Sequence, residues 1–297
     1  MPYKSVVLVK QVPDTKNITG EAMTPEGTIN RTALPAVFNP EDLNALEMAL
    51  EVRDRHGGEV TVITMGPPGA AEVLRESLFR GADKVVLLSD RRFAGADTLA
   101  TSYALSCAIQ KLGSVDLVFC GRQAIDGDTA QVGPQTAEKL GMPQITYAEA
   151  IEKLEGGSIV ARRALDHGTE MVKCSLPCLL TVVSSANEPR PASVRRRIEY
   201  KFAATSLEYK SLLAKWPSFK TEEALDAFLV RRELKIPVWT AADIGAEEQK
   251  LGMPGSPTQV YKVNFVVLEG SESKVVDPTS DGIKALIQEL MQEYIVG

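Results

Sequence analysis

Asp116-Leu117-Val118-Phe119-Cys120-Gly121-Arg122-Gln123-Ala124-Ile125-Asp126-Gly127-Asp128-Thr129-Ala130-Gln131-Val132-Gly133-Pro134 joins a short apolar run to a polar, glycine-bearing loop and then to a helical pattern over 131–140. An apolar run of this length, bounded by polar residues, reads as a strand buried on both faces. Three similar runs precede it, at 5–10, 59–65 and 84–88, with helical patterns over 40–56, 69–80 and 97–112 between them. In the first of these helices Leu43, Leu46, Ala49, Leu50 and Arg53 keep helical spacing behind Asn39, the expected N-cap. Strands alternating with helices in this way build βαβ units, and hence an α/β/α sandwich with a mostly parallel sheet.

Gly141-Met142-Pro143 stops the pattern, and the texture then changes. Short strand-like pieces at 150–154, 159–165 and 170–175, turned by Gly156-Gly157 and His167-Gly168, read as an antiparallel meander, followed by an apolar strand at 178–183. Beyond Ala186 the chain is polar, with Arg195-Arg196-Arg197 read as a solvated face and a helical piece at 221–230. The tail holds a strand candidate at 263–268 and an amphipathic helix at 280–294, striped by Ile283, Leu286, Ile287, Leu290 and Met291. Composition thus divides the chain into an α/β domain over 1–190 and an extended carboxyl-terminal arm over 191–297, too weakly patterned to pack alone and expected to wrap a partner.

The 297 residues are 44% apolar and 24% charged, which fits a globular chain and excludes disorder or fibre. With 33 Lys and Arg against 39 Asp and Glu, no global basic field exists to hold a polyanion, so nucleic acid is not the expected partner. Two histidines and four scattered cysteines give no zinc spacing. Cys107, Cys120, Cys174 and Cys178 lie in apolar stretches and read as small hydrophobes, with no disulfide framework, which suits a reducing cytoplasm. The amino terminus reads as a strand rather than a signal peptide, and no apolar stretch reaches the roughly 18 residues of a membrane span.

The chemistry concentrates in the loop quoted first, because in an open α/β sheet ligands sit beyond the carboxyl ends of the strands. The helix start offers unpaired N–H groups and a positive dipole end, which attract phosphate. Gly121 and Gly127 let backbone approach a ligand closely. Asp126 and Asp128 would repel phosphate, so their expected tasks are bonding ribose or ring edges and capping, Asp128 at 129–131. Taken alone, Asp126-Gly127-Asp128-Thr129 is an ordinary capped loop. There is no P-loop, no G-x-G-x-x-G and no G-x-S-x-G elbow, so neither the usual dinucleotide fingerprint nor hydrolase chemistry is written here. Gly66-Pro67-Pro68-Gly69 reads as a rigid strand-to-helix turn against which a ligand can pack, its prolines removing two N–H donors.

The first strand, Val7-Leu8-Val9-Lys10-Gln11-Val12-Pro13-Asp14, together with Asn39-Pro40, Met65-Gly66-Pro67, the string from Gly121 to Gly133 and Asn187-Glu188-Pro189-Arg190, resembles the β subunit of electron transfer flavoproteins, a family that includes the nitrogen-fixation homologue. The resemblance covers roughly residues 1–230 and is most specific in the central string. It implies a Rossmann-like, adenine nucleotide alpha hydrolase-like fold that works as an electron carrier with a flavin-bearing α subunit. The implied cofactor pocket maps to Leu8, Asn39, Asp42, Met65 and the stretch Gly121, Arg122, Gln123, Ala124, Ile125, Asp126, Gly127, Asp128, Thr129, Ala130, Gln131 and Val132. Ordinary members hold AMP there. The form Asp126 to Pro134, with Gly127 where ordinary members tend to be bulkier, is similar to flavin-based bifurcating members, where FAD replaces AMP and accepts hydride from NADH. Ala186 stands where ordinary members carry the Leu that anchors an acyl-CoA dehydrogenase, which implies a different partner or a shifted contact. The resemblance therefore implies electrons divided between an acyl-CoA dehydrogenase-type flavoenzyme and a ferredoxin or flavodoxin. The alternatives are an AMP-holding, non-bifurcating subunit and, from another class, a free-standing adenine-nucleotide binding or hydrolysing module.

Overall fold

The β-branched run at the amino terminus forms β1, Tyr3–Leu8, flanked by β4, Gly58–Met65, and β6, Leu117–Gly121, both parallel to it. The computed structural model describes residues 2–14, 35–258 and 275–292. Its compact units are Met1–Tyr261 and Lys262–Gly297.

Among the described residues of the first unit, β5 (Lys84–Leu88), β10 (Cys178–Val182), β7 (Gln144–Glu155), β8 (Ser158–Leu165), β9 (Gly168–Ser175) and β11 (Val238–Trp239) complete a nine-stranded sheet in the order β11-β5-β4-β1-β6-β10-β7-β8-β9. All pairings from β11 to β7 are parallel, and β8 and β9 add antiparallel. Helices α1 (Pro40–His56) and α2 (Ala71–Arg80) cover one face, α3 (Thr98–Leu112) and α4 (Val132–Leu140) the other. Burial of β1 on both sides accounts for its unbroken apolar run: Val7 and Val9 join the core under α1 with Leu46 and Leu50, while Val6 and Leu8 join the core under α3 with Ala104 and Ala108. The α/β/α sandwich read from the sequence is the observed fold.

The antiparallel meander is present as β7, β8 and β9, turned at Gly156-Gly157 and at His167-Gly168, and its placement in the sheet is what the sequence did not show. β7 starts at Gln144 and runs parallel to β10 before pairing antiparallel with β8, its register shifting between Ala148 and Ala150 and between Ile151 and Lys153. The hairpins therefore extend the main sheet, and β10 inserts between β6 and β7. Alternation reports that a strand has one solvated face; it does not report which neighbour the chain returns to. The pair β2 (Gln11–Pro13) and β3 (Ala36–Phe38) was not foreseen, since three residues are too short to show a period.

The polar stretch after 190 packs on the sandwich. In α5 (Val194–Tyr200), α6 (Tyr209–Lys215), α7 (Glu222–Arg231) and the segment after it, Tyr209, Leu225, Leu229, Leu234 and Ile236 are buried in the α1-side core, and β11 extends the sheet beside β5. Arg195 and Arg197 are exposed, as read, whereas Arg196 is half-buried: its guanidinium donates to the carbonyls of Leu78 and Ala82 at the end of α2, where the helix dipole favours a cation. Asn187 and Arg190 brace α1, Asn187 exchanging bonds with Asn44 and Arg190 pairing with the buried Glu47 at 2.9 Å. The division at 190 marks a change of composition, whereas the compact units part at Tyr261.

In the second unit α8, Ser280–Gln292, matches the amphipathic pattern; none of its residues is buried, and Ile283, Ile287 and Met291 are exposed. The strand candidate at 263–268 lies outside the described residues. All four cysteines are free thiols, Cys107, Cys120 and Cys178 buried. Among the described residues no helix is long and apolar enough to cross a membrane, and no group of metal-ligating side chains gathers.

Candidate functional site

Strands β4 and β5 lie on one side of β1, and β6 and β10 on the other, so the order of the sheet reverses between β1 and β6. Ligands of open α/β sheets bind beyond the strand ends at such a point. Leu8 and Cys120 are register partners there, and the loop from Gly121 springs from that edge.

The first turn of α1 fastens the two strand ends together. Asp42 Oδ2 accepts the Lys10 N–H at 2.8 Å and its Oδ1 accepts the Gly121 N–H at 2.9 Å. A Cβ on Gly121 would fall 2.5 Å from Asp42 Oδ1, so this glycine admits α1 rather than a ligand. Asn39 occupies the N-cap position but makes no cap bond. Its Nδ2 donates to the Gln123 carbonyl at 2.8 Å and its Oδ1 accepts the Ile125 N–H at 3.1 Å, so the amide is spent on the loop. Glu41 accepts the Gln123 N–H at 3.0 Å and pairs with Arg122 at 3.1 Å. The Arg122 side chain is committed to Glu41 and to the Tyr147 ring, 5.6 Å from its centroid, and its Nε is buried without a partner in the chain.

Both loop carboxylates are occupied. Lys10 Nζ bonds Asp126 Oδ1 and Oδ2 at 2.7 and 2.8 Å, and Gln123 Nε2 donates to Asp128 Oδ1 at 2.8 Å. Asp128 does not cap the helix, which begins only at Val132 behind an uncapped Gln131. The reason is backbone: Asp128 and Ala130 hold φ of 50° and 52°, which turns the chain out of helical register. Left-handed Ala130 followed by right-handed Gln131, whose φ and ψ are −103° and −29°, is the alternation that forms anion-binding nests. It runs straight into the α4 amino terminus, whose first N–H groups lack intrahelical acceptors. Gly127 lacks positive φ, and a Cβ placed there meets nothing within 4 Å; what this glycine provides is open space.

Leu8 is buried at the end of β1, and Met65 is half-buried at the end of the neighbouring β4, both on the α3 side of the sheet. Thr98, the first residue of α3, donates to Gln131 Oε1 at 2.9 Å and ties that helix to the loop. Leu8, Asn39, Asp42 and 121–132 thus converge on one edge, with Met65 one strand away. Sequence reasoning named Asp42 but passed over Lys10, Glu41 and Thr98, whose bonds to the loop join residues far apart in the chain. A cleft of about 480 Å³ between α1 and β7, lined in part by Met48, Val52, Ile151 and Asn187, contains none of these residues.

Burial pushes the Asp42 carboxyl up to about 7, against the opposing pull of the Lys10 and Gly121 N–H groups. In the unfolded chain this group titrates near 3.8, so between about 4 and 7 the folded state binds more protons and the stability from this group falls as pH rises. Asp42→Asn removes that slope, yet it leaves one of the two N–H groups facing an amide donor, an expected loss of about 1–3 kcal/mol. Urea midpoints across this pH range check both effects, and an unchanged slope would assign the titration elsewhere. Burial also raises the Cys120 thiol well above its ordinary range, so it stays neutral and unreactive.

A Rossmann-like α/β/α unit with a glycine-bearing loop at its switch point is the class of protein this geometry defines. The model of the electron transfer flavoprotein domain matches residues 26–205. The chain is 40% identical to the electron transfer flavoprotein subunit beta of Clostridium acetobutylicum over 98% of this chain and 99% of that one. It is also 40% identical to the caffeyl-CoA reductase-Etf complex subunit CarD of Acetobacterium woodii, over 98% and 99%, and 41% identical to protein FixA of Azorhizobium caulinodans, over 92% and 88%. The chain belongs to the β-subunit family of electron transfer flavoproteins.

Proposed function

We propose that this chain is the small subunit of a bifurcating electron transfer flavoprotein: with a flavin-bearing α subunit, it holds FAD at the switch-point loop, takes electrons from NADH, and divides them between an acyl-CoA dehydrogenase-type flavoenzyme and a ferredoxin or flavodoxin. The observation that carries this reading is Gly127, exposed in the switch-point loop with nothing within 4 Å of a Cβ placed there. AMP would use the nest and the Leu8 and Met65 strand ends but leave that space idle, whereas FAD has a second half to place there. CarD, by name a subunit of a caffeyl-CoA reductase complex, supports a dehydrogenase-type partner. Two of the three relatives are subunits by name, which weighs against a free-standing nucleotide module.

When bound, flavin supplies the redox chemistry, so no acid, base or nucleophile is required of the chain. Its residues bind and orient. The N–H groups at 130–133 would hold phosphate and Leu8 and Met65 would pack on adenosine, while Asn39, Glu41 and Asp42 hold the loop shape before any ligand arrives, which removes an ordering cost. To the arm we assign contact with the α subunit through the exposed stripe of α8. The cytoplasmic assignment rests on the free thiols.

Anaerobic addition of NADH to the purified complex tests this reading. The flavin absorbance is expected to bleach; flavin that stays oxidised with NADH, yet is reduced by a dehydrogenase with its substrate, would establish the non-bifurcating alternative.

A further inference from the structure

A carboxylate in a phosphate-binding loop is an electrostatic contradiction, and Asp126 stands six residues before the first residue of α4. An unneutralised charge there would oppose the phosphates that the nest and the helix dipole attract. We propose that Lys10 is the positioning residue that makes this loop competent for phosphate, by neutralising Asp126; the inference rests on the nucleotide reading above.

The pair is bidentate and half-covered: Lys10 Nζ reaches both oxygens of Asp126, at 2.7 and 2.8 Å, with the Asp126 side chain 17% exposed and that of Lys10 48% exposed. Exposed pairs contribute little partly because both side chains must be ordered. Here the Lys10 backbone is already fixed, its N–H donating to Asp42 Oδ2 at 2.8 Å and its carbonyl accepting the Asn39 N–H at 3.0 Å. The ammonium therefore starts from a set point just past the end of β1 and spans to Asp126 in the loop.

The neighbouring charges leave this task to Lys10. Arg122 is paired with Glu41, and Asp42 is engaged by the backbone N–H groups of Lys10 and Gly121. Asp128 receives a neutral donor, Gln123 Nε2, which shapes the loop but leaves the charge in place. Among the described residues Lys10 is the only cation paired with a carboxylate of the 121–132 loop.

The consequence is specific to the ligand's charge. Without Lys10, binding of a phosphorylated adenosine should weaken while binding of adenosine should not, because only the former meets the exposed Asp126 carboxylate. A structural role would weaken both.

The test uses the full chain in complex with its α subunit, stripped of nucleotide at this site, titrated calorimetrically with AMP and separately with adenosine. Lys10→Met is expected to weaken AMP about tenfold, an effect that shrinks in high salt, with adenosine unchanged. The double variant Lys10→Met with Asp126→Asn is expected to recover most of the AMP affinity, and Lys10→Arg to retain it. Asp126→Asn alone leaves the Lys10 backbone bonds intact and should bind AMP at least as well as the unmodified complex, which keeps the proposal testable if Lys10→Met does not fold. Equal losses for AMP and adenosine, no recovery in the double variant, or weaker AMP binding by Asp126→Asn would each overturn the proposal. Binding of neither ligand by the unmodified complex would overturn the nucleotide reading itself, a result distinguishable from these.

Discussion

Gly121→Ala should lower the stability of the chain by about 3 kcal/mol, because overpacking at a fixed backbone contact cannot relax through a side chain. The added methyl carbon would lie 2.5 Å from Asp42 Oδ1, 2.8 Å from Asp42 N and 2.8 Å from the Glu41 carbonyl carbon. Two of those three neighbours are α1 backbone, so the helix must retreat from the end of β6, and the Gly121 N–H bond to Asp42 is strained or lost with it. For a unit of this size the loss corresponds to a fall in unfolding temperature of roughly 6–12 °C. Gly127→Ala is the control, since its Cβ meets nothing within 4 Å and the unfolding temperature should not move. Thermal unfolding of the two variants side by side reads the contrast; equal losses would mean that the loop does not rest on α1 as described.

Gly127→Asp should do the opposite, sparing the fold and removing function. The new side chain enters open space, so the unfolding temperature is expected to stay unchanged. It fills the volume the proposal assigns to the flavin half of FAD, and it adds a third carboxylate to a loop already holding Asp126 and Asp128. Losing one close contact region costs about 10 to 200-fold in affinity, by analogy with a missing substrate group. The variant should therefore keep the α-subunit flavin, lose the second flavin and NADH oxidation together, and bind AMP more weakly than the unmodified complex, since the added carboxylate has no cation of its own. A variant that loses stability with its cofactor content unchanged would make Gly127 a turn glycine only.

Much of this arrangement was legible in the residues. The unbroken runs of β1, β5 and β6 announced strands covered on both faces, and the strand-loop-helix order around Gly121 announced a ligand edge. Neighbour relations were not legible. Periodicity assigns a residue to an element but not the element to a partner, which is why β10 could not be placed between β6 and β7. Side-chain bonds were misjudged for a related reason. Asn39 and Asp128 carry the residue types of helix caps, and both spend their oxygens on the loop, because the tertiary approach of α1 to β6 offers partners that local sequence does not contain. The glycines divided in the same way: Gly121 and Gly127 look alike in sequence, and only packing shows that one admits a helix and the other leaves room.

The central claim is that the switch-point loop of this chain holds a flavin. It is tested most directly by denaturing the purified heterodimer with its α subunit and identifying every nucleotide released. The expected result is FAD from both subunits and no AMP. FAD from the α subunit alone, with AMP released in matching amount, would contradict it.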